Sequence, residues 1–287
     1  MNQKRCLIID GNNFFYRCYY ASQTLSLKNE FLGFFFLLRA LISLVKNDNY
    51  HKLIFLFDAG KMNFRHAILE NYKANRKTTP TELIIQTEFL QKILPQIGLT
   101  YAKLEMEEAD DLIASFISQN SKRYPKEIFD IFSQDKDLMQ LISPQINILK
   151  YIKNKNTIFT YEDFLKKYQF FPSKYVDYLS LLGDKSDNIK GIEKIGIKKA
   201  QQLIEHFGSL ENIYQKLDEF SEKMRSLLID SKRLVFQNKQ LISLKKDITL
   251  AIDWNSCDFN WENWRKNTEL RRICQLYQFN SIIKLLN

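Results

Sequence analysis

Three apolar segments of the sequence each lead into an aspartate. In chain order the segments and their aspartates are residues 6–9 with Asp10, 53–57 with Asp58, and 128–132 with Asp135. Short runs rich in β-branched and aromatic residues predict buried strands. In an open parallel sheet, ligands bind just beyond the carboxyl ends of the strands, so we expect these carboxylates to converge on one pocket. Two carboxylates about 4 Å apart repel by roughly 4 kcal/mol at an effective dielectric constant near 20, so the group predicts a bound cation.

A dense acidic cluster opens a predicted helix. Its members are Glu107, Glu108, Asp110 and Asp111. Acids in a first helical turn complement the helix dipole, each by about 0.3–1 kcal/mol, and that effect would explain one or two of them. Four acids in five residues exceed it, because like charges on neighbouring helical positions repel. Glu108 and Asp111 share a helix face and could point together at the strand ends, so we interpret the cluster as metal-binding.

Two further acidic pairs follow, Asp135 with Asp137 and Asp184 with Asp187. In isolation the first pair would be a helix cap with a surface acid, and the second would be turn-formers. All these donors are hard oxygens without a histidine or cysteine cluster, which favours Mg²⁺ or Mn²⁺ over zinc. Two such ions about 3.5–4 Å apart can activate a water and stabilise the leaving oxygen of a phosphodiester. The sequence has no Walker-type loop or dinucleotide fingerprint, so we do not expect nucleotide-driven chemistry.

A basic stretch follows Asp58. It holds a single acid, Glu70, and five basic residues: Lys61, Arg65, Lys73, Arg76 and Lys77. Phe64 and Tyr72 lie among them, a mixture that suits gripping phosphates and stacking on bases. The alternative is an exposed amphipathic helix whose charges face water. Because the stretch follows an active-site strand directly, we expect it to face the substrate.

Four of the eight glycines fall between residues 183 and 208: Gly183, Gly191, Gly196 and Gly208. The last is typical of a helix C-terminal cap. The others predict two helices joined by a glycine hairpin, in which glycine allows close approach and a helix N-terminus offers N–H groups to phosphate. Neighbouring lysines, Lys190, Lys194, Lys198 and Lys199, favour a phosphate contact over a plain turn.

The composition is that of an ordinary globular protein of 287 residues, with 45% hydrophobic and 26% charged residues. A net charge of +9 indicates nucleic acid or an anionic membrane as a partner, or a lysine-rich surface kept for solubility. The four cysteines lie far apart and predict reduced thiols in a cytoplasmic protein. The longest apolar stretch, residues 31–45, is interrupted by Arg39 and too short to span a bilayer, so we expect no membrane insertion.

Strand and helix patterns alternate up to about residue 160 and then become helical. The alternation predicts an α/β fold with a mostly parallel sheet flanked by helices. We therefore expect two domains, 1–160 and 161–287.

Seven short motifs occur in the order found in one known family. They are Ile9-Asp-Gly-Asn-Asn, Phe57-Asp-Ala, Phe64-Arg-His, Tyr72-Lys-Ala-Asn-Arg, Glu108-Ala-Asp-Asp, Asp135-Lys-Asp-Leu and Gly183-Asp-Lys-Ser-Asp-Asn. Together they resemble the 5′ nuclease family (PIN-like, FEN-like), specifically the 5′–3′ exonuclease domain of bacterial type I DNA polymerases. The similarity continues to the C-terminal residues 279–286, so it covers nearly the whole chain.

The resemblance implies a PIN-like domain with a helical arch near residues 61–80 and a helix–three-turn–helix element, of the helix-hairpin-helix type, near 180–208. It implies one metal position surrounded by Asp10, Asp58, Glu108, Asp110, Asp111 and Asp135. It implies a second position completed by Asp137, Asp184 and Asp187. Lys73 and Arg76 would be catalytic residues that hold the scissile phosphate. Nucleic acid would contact Arg65, Tyr72, Lys73, Arg76, Gly191, Gly196, Lys198 and Lys199. A potassium ion would assist the hairpin, where Lys194 replaces the glycine that is usual in the family.

The predicted function is a Mg²⁺-dependent 5′–3′ exodeoxyribonuclease and 5′-flap endonuclease that uses two ions, with Mn²⁺ as a substitute. Its substrates would be DNA 5′ ends, flaps and duplex junctions, and RNA primers, in primer removal and repair. Since the sequence ends where a polymerase would continue, we expect a stand-alone monomer that works beside a separate DNA polymerase and ligase.

Three alternatives remain open at this point. A PIN-like RNA endonuclease is disfavoured by the Asp184/Asp187 pair and the glycine hairpin. A catalytically silent structure-specific DNA-binding protein would lack some of the acids, and all nine are present. A small-molecule phosphatase would need neither the basic stretch nor the hairpin.

Overall fold

A six-stranded sheet forms the centre of the protein, in the order β3-β2-β1-β4-β5-β6. The computed structural model describes residues 3–23, 31–46, 48–60, 62–152 and 155–287. The sheet strands are β1 (Arg5–Asp10), β2 (Tyr50–Phe57), β3 (Thr100–Lys103), β4 (Ile128–Phe132), β5 (Ile146–Ile152) and β6 (Lys155–Phe159). The first five run parallel, and β6 pairs antiparallel with β5. The sequence predicted the parallel strands but not β6.

Five helices accompany the sheet in the first half of the chain. They are α1 (Gly11–Gln23), α2 (Leu32–Val45), α3 (Phe64–Ile68), α4 (Thr81–Gln96) and α5 (Ala109–Arg123). A 3₁₀ helix, Asp137–Leu141, follows β4. The α/β fold predicted from the alternating pattern is confirmed.

The second half of the chain is mainly helical. Its helices are α6 (Tyr161–Tyr168), α7 (Tyr175–Leu182), α8 (Ile197–Phe207), α9 (Leu210–Gln215), α10 (Glu222–Ile242), α11 (Trp261–Trp264), α12 (Thr268–Leu276) and α13 (Asn280–Leu286). A two-stranded antiparallel ribbon, β7 (Gly183–Asp184) with β8 (Ile189–Lys190), interrupts them between α7 and α8. Strands this short carry no periodic signal, so the sequence did not predict the ribbon.

Side chains point alternately to the two faces of the sheet and pack into two hydrophobic cores, one on each face. Along β1, Ile8 joins the core under α5, α7 and α10, while Leu7 and Ile9 join the core under α1, α2 and α4. The final helices return to this second core, where Phe279 packs against Phe34 with ring centroids 6.2 Å apart. The predicted division near residue 160 stays a prediction. Among the described residues, no helix is long and apolar enough to cross a membrane.

The parallel arrangement of the strands places three aspartates at the same end of the sheet. Asp10 is the last residue of β1, Asp58 follows β2, and Asp135 lies three residues beyond β4. Since β1 lies between β2 and β4, the chain leaves all three strands at the same edge. Helix α5 also begins there, because the amide of Ala109 donates a 2.6 Å hydrogen bond to the Asp58 carboxylate.

Candidate metal centre and nucleic-acid interface

Asp10 ends the central strand β1, between Asp58 and Asp135 at the carboxyl ends of the parallel strands, which we call the carboxylate edge. Asp10 is 5% exposed. Its two oxygens accept hydrogen bonds from the Asn13 amide at 3.0 Å and the Ser133 hydroxyl at 2.7 Å. Burial raises the pKa of Asp10 to about 7, with a further upward contribution from the Asp58 carboxylate. The side chain is therefore held in place but disfavoured as an isolated anion, which is the condition that a bound cation relieves.

Asp110 and Asp135 extend this first acidic group. Desolvation raises the pKa of Asp110 well above its usual value, and the charges of Asp135 and Asp10 add to the shift. The pKa of Asp135 is also raised by burial, although the Asp137 amide opposes the shift by donating to its carboxylate. The repulsion shows that Asp10, Asp58, Asp110 and Asp135 lie within electrostatic reach of one another.

A second acidic group adjoins Asp135. Asp137, Asp184 and Asp187 each place one carboxylate oxygen within 4.8 Å of the others. Burial raises the pKa of Asp137 well above its usual value, and the neighbouring carboxylates of Asp135 and Asp184 raise it further. Burial would also raise the pKa of Asp184, but hydrogen bonds from Ser186 and Lys136 outweigh that effect and lower it. These three oxygens can serve as ligands of a single cation.

The donor chemistry fits a hard divalent cation. Asp137 Oδ1 is buried and has no hydrogen-bond partner among the described residues. A buried acceptor left without a partner costs about 1–3 kcal/mol, more when it is charged, and a cation at the second acidic group would relieve that cost. Carboxylate oxygens without histidine or cysteine are the ligands that Mg²⁺ and Mn²⁺ prefer.

The structure corrects the prediction for Asp111. Arg65 Nη1 and Nη2 lie 2.6 and 2.9 Å from its two carboxylate oxygens, and the Lys245 amide donates to one of them. The side chain of Asp111 is fully buried. Both oxygens are thus committed to Arg65, which makes Asp111 an anchor for the basic stretch instead of a ligand.

Arg65 and Tyr72, which were predicted to contact nucleic acid, both have buried side chains in this structure. Arg65 Nε donates to the Leu241 carbonyl at 2.7 Å, so the guanidinium joins α3 to the end of α10. The Tyr72 hydroxyl donates to Asp187 at 3.0 Å. Neither residue offers a face to a base, since each is used to hold residues 64–76 over the acids.

Lys73 and Arg76 lie at the acidic groups, and their predicted role in holding the scissile phosphate stays a prediction. Lys73 Nζ donates to Glu108, and Arg76 Nη2 donates to Asp187. Burial would lower the pKa of Lys73, but the carboxylates of Glu108 and Asp187 outweigh it and raise the pKa. Lys73 consequently stays a cation. Lys77 is exposed, and Lys61 lies outside the described residues.

The hairpin between α7 and α8 is built on glycine, but in a different way from the prediction. A Cβ atom on Gly191 would lie 2.0 Å from the Leu182 carbonyl oxygen, so Gly191 serves internal packing. Gly196 has open space around it and precedes α8, where Lys198 and Lys199 are exposed. The face available to a phosphate backbone is therefore the N-terminus of α8.

Lys194 adopts the left-handed conformation that the turn requires, with φ of 65°. The glycine usual at this position would adopt it without strain. For a residue with a Cβ atom the conformation costs roughly 1–2 kcal/mol. The turn therefore forms despite the substitution.

Two residues of the site were missed by the sequence analysis. Ser133 orients Asp10, and Lys136 Nζ lies 2.9 Å from Asp184. Lys136 was visible between Asp135 and Asp137, but its partner lies 48 positions later and sequence spacing gave no sign of it.

A mostly parallel sheet with carboxylates at its strand ends, joined by those of the β7–β8 segment, defines a PIN-like fold with a candidate metal centre. Family models match almost the whole chain: residues 5–169 match the 5′-3′ exonuclease N-terminal resolvase-like domain. Residues 170–266 match the 5′-3′ exonuclease C-terminal SAM fold. The chain belongs to the 5′-3′ exonuclease family, and the predicted family is confirmed.

Curated relatives agree with this assignment. The chain is 34% identical to a 5′-3′ exonuclease of Buchnera aphidicola subsp. Schizaphis graminum, over 97% of this chain and 98% of the relative. It is 33% identical to a 5′-3′ exonuclease of Aquifex aeolicus, over 98% of this chain and 94% of the relative. The DNA polymerase I of Caldicellulosiruptor bescii is 31% identical over 98% of this chain, which spans only 33% of that polymerase.

Solved structures share the fold. The bacteriophage T5 5′-exonuclease with bound divalent zinc ions superimposes with a TM-score of 0.68 at 21% identity, over 99% of this chain and 100% of that chain. The catalytic core of Rad2 in complex with a DNA substrate gives a TM-score of 0.59 at 19% identity, over 93% and 87% of the two chains.

Proposed function

We propose that this protein is a Mg²⁺-dependent 5′–3′ exodeoxyribonuclease and 5′-flap endonuclease. Membership of the 5′-3′ exonuclease family supports the reaction class. The observation that carries the proposal is the cluster of Asp137, Asp184 and Asp187, next to Asp135 of the first acidic group. Two neighbouring acidic groups suit two divalent cations, with Mn²⁺ as a substitute for Mg²⁺.

We assign as ligands the carboxylates that keep at least one oxygen unbound by a buried arginine or lysine. Asp10, Asp58, Asp110 and Asp135 would hold one ion, and Asp137, Asp184 and Asp187 the other. Glu108 would join the first group once Lys73 moves from it to the substrate. Asp111 is left out, because Arg65 occupies both of its oxygens. When bound, the two ions supply Lewis-acid activation of a water and stabilise the leaving oxygen.

The chain's own cations act on the phosphate. Lys73 and Arg76 bind carboxylates that face the site, and both side chains retain some exposure. A phosphodiester entering the site would compete for them, since charge-assisted hydrogen bonds to phosphate are as strong as those to carboxylate. With their charge maintained, Lys73 and Arg76 orient the scissile phosphate and offset the negative charge that develops on it.

The N-terminus of α8 is the proposed contact for the duplex. Helix N-termini bind phosphate through free N–H groups, and Gly196 leaves room for a close approach. Lys198 and Lys199 would add sequence-independent attraction to the backbone. A potassium ion at this turn belongs to the same proposal, as implied by the family resemblance.

The cellular role would be removal of RNA primers and repair of DNA. The similarity to one third of a DNA polymerase I favours work together with a DNA polymerase, with a ligase to seal the product. We propose a cytoplasmic monomer.

The deciding experiment compares a 5′-labelled DNA flap duplex with its 3′-flap counterpart, each with Mg²⁺ and with chelator. Mg²⁺-dependent cleavage of the 5′ flap alone is the expected result. Cleavage of single-stranded RNA in preference to either duplex would identify an RNA endonuclease instead. Binding of the flap without cleavage under both conditions would identify a silent DNA-binding protein.

A further inference from the structure

A cavity of about 570 Å³ lies between the β5–β6 pair and α6. Its lining includes Lys150 of β5, Lys166 and Lys167 of α6, Phe159 of β6, and Asp163. The cavity therefore presents three cations against one carboxylate. None of these lysines is used by the site described above.

The cations of this cavity lack anionic partners in the part of the chain that the structure describes. No ion pair joins Lys150, Lys166 or Lys167 to a described acid. Asp163 is committed to the start of α6, where its carboxylate accepts hydrogen bonds from the Thr160 amide at 3.0 Å and hydroxyl at 3.2 Å. The charge of the cavity is thus left for an external anion.

Lys150 and Lys167 are held in position by their surroundings. The ammonium group of Lys167 lies 4.9 Å from the ring centre of Tyr168 and 5.8 Å from that of Phe159. Partial burial lowers the pKa of Lys150, and the positive charge of Lys167 lowers it further. A phosphate would stabilise two cations that lie close together in a cavity whose lining holds three cations and one carboxylate.

One lining residue of the cavity, Lys150, lies at the carboxyl end of the sheet. Leu149 pairs with Phe132 in the register of β5 and β4, so Lys150 lies one position beyond the end of β4, near Asp135. The Asp135 carboxylate is close enough to act electrostatically on Lys150. Tyr151 contacts Arg17 of α1, and side chains alternate along a strand, so Lys150 faces the other side of the sheet, away from α1.

We propose that Lys150 and Lys167 form a phosphate subsite for the substrate strand, adjacent to the position of the scissile phosphate. The subsite positions the strand and does not take part in bond cleavage. This inference rests on the proposed nuclease function, because it assigns the anion as a backbone phosphate of that enzyme's nucleic-acid substrate.

The test uses Lys150→Met, Lys167→Met and the double variant in the full chain. Lys126→Met is the matched control, since Lys126 is exposed and precedes β4 at the opposite end of the sheet. Binding of the 5′-flap duplex is measured in chelator over a range of salt concentrations, and KM and kcat are measured with Mg²⁺. Losing one phosphate contact should reduce the slope of log Kd against log salt by about 1.

The double variant should also raise KM by about tenfold, the size expected for loss of a hydrogen bond to a charged group, with little change in kcat. Its Tm should be no lower than that of the wild type, because it removes two like charges that repel. A salt slope and KM equal to those of Lys126→Met would overturn the subsite while leaving the nuclease function intact. A reduced slope in a protein that does not cleave would support the subsite and overturn the nuclease function.

Discussion

The backbone amide of Lys73 donates a 3.0 Å hydrogen bond to the backbone carbonyl of Asp187. Two more contacts join the same segments: Asn75 Nδ2 donates to the Lys185 carbonyl at 2.6 Å, and Asn188 Nδ2 donates to the Asn71 carbonyl at 2.8 Å. Three hydrogen bonds to backbone carbonyls therefore join the basic stretch to the loop that carries Asp184 and Asp187 of the second acidic group. Movement of either segment must move the other, so substrate and metal binding at this point are expected to be coupled.

Removing one carboxylate from the first acidic group should abolish catalysis and spare binding. Asp135→Asn keeps the size of the side chain but removes a charge that the proposed cation needs. We expect kcat to fall by at least about 100-fold, the scale of losing one electrostatic contact in an active site. DNA affinity measured in chelator should be unchanged or higher, because a negative charge near the phosphates is lost.

The matched control is Asp230→Asn, which alters an exposed acid on α10 and should cleave like the wild type. Asp58→Asn should behave like Asp135→Asn. Residual cleavage within tenfold of wild type in both variants would refute the ligand assignment.

Lys73 and Arg76 should contribute to the rate and not merely to affinity. Replacing either by alanine removes a cation that can offset charge on the phosphate, so we expect kcat to fall by about 10²–10³-fold. Lys77→Ala alters a neighbouring exposed lysine and should leave kcat unchanged. Single-turnover cleavage of the flap substrate measures the effect directly. A rise in KM with unchanged kcat would instead mean that both residues only bind the strand.

Asp111 and Arg65 should govern stability. Breaking a buried ion pair by removing one partner costs about 3–5 kcal/mol, so Asp111→Asn and Arg65→Met should each lower the free energy of unfolding by about that amount. The double variant should lose less than the sum of the two, since the residues are in contact. Denaturant titration of the single and double variants gives the coupling.

The Asp111→Asn variant also tests whether Asp111 only pairs with Arg65 or binds the metal ion. Added Mg²⁺ should still raise the Tm of Asp111→Asn by as much as it raises that of the wild type. If the Mg²⁺ effect disappears in a folded Asp111→Asn protein, Asp111 is a ligand as its position in the acidic cluster first indicated.

The stability of the chelator-treated protein should fall as pH rises from about 4 through about 7. The pKa of Asp10 is raised from 3.8 to about 7 in the folded protein. Over this range the folded state binds more protons than the unfolded state, so its advantage is lost as the carboxyl ionises. Asp110 and Asp137 shift in the same direction. The lowered pKa of Asp184 has the opposite effect on stability, but only at pH values below the ordinary pKa of an aspartate.

The measurement is Tm at pH 5 and pH 8, with and without Mg²⁺. Mg²⁺ should stabilise the protein more at pH 8, because ligands must be deprotonated to bind it. Asp10→Asn should flatten the decrease in the chelator-treated protein. Equal Mg²⁺ effects at both pH values would contradict the assignment of these carboxylates as ligands.

The sequence by itself determined the sheet and the convergence of its acids. Strand periodicity places Asp10, Asp58 and Asp135 after buried strands, and parallel strands align their carboxyl ends whatever the details of packing. The ordered motifs further indicated the family, because seven of them in one order are specific where each alone is weak.

Tertiary structure alone decided which charges are free to act. Asp111 and Glu108 look equivalent on one helix face, yet Arg65 occupies both oxygens of Asp111 and only one of Glu108. The sequence predicted that Tyr72 would stack on bases, but the residue is buried and its hydroxyl donates to Asp187. The reason is physical: a buried charge or hydroxyl must be satisfied by some partner, and that partner is chosen by contacts between segments far apart in the chain.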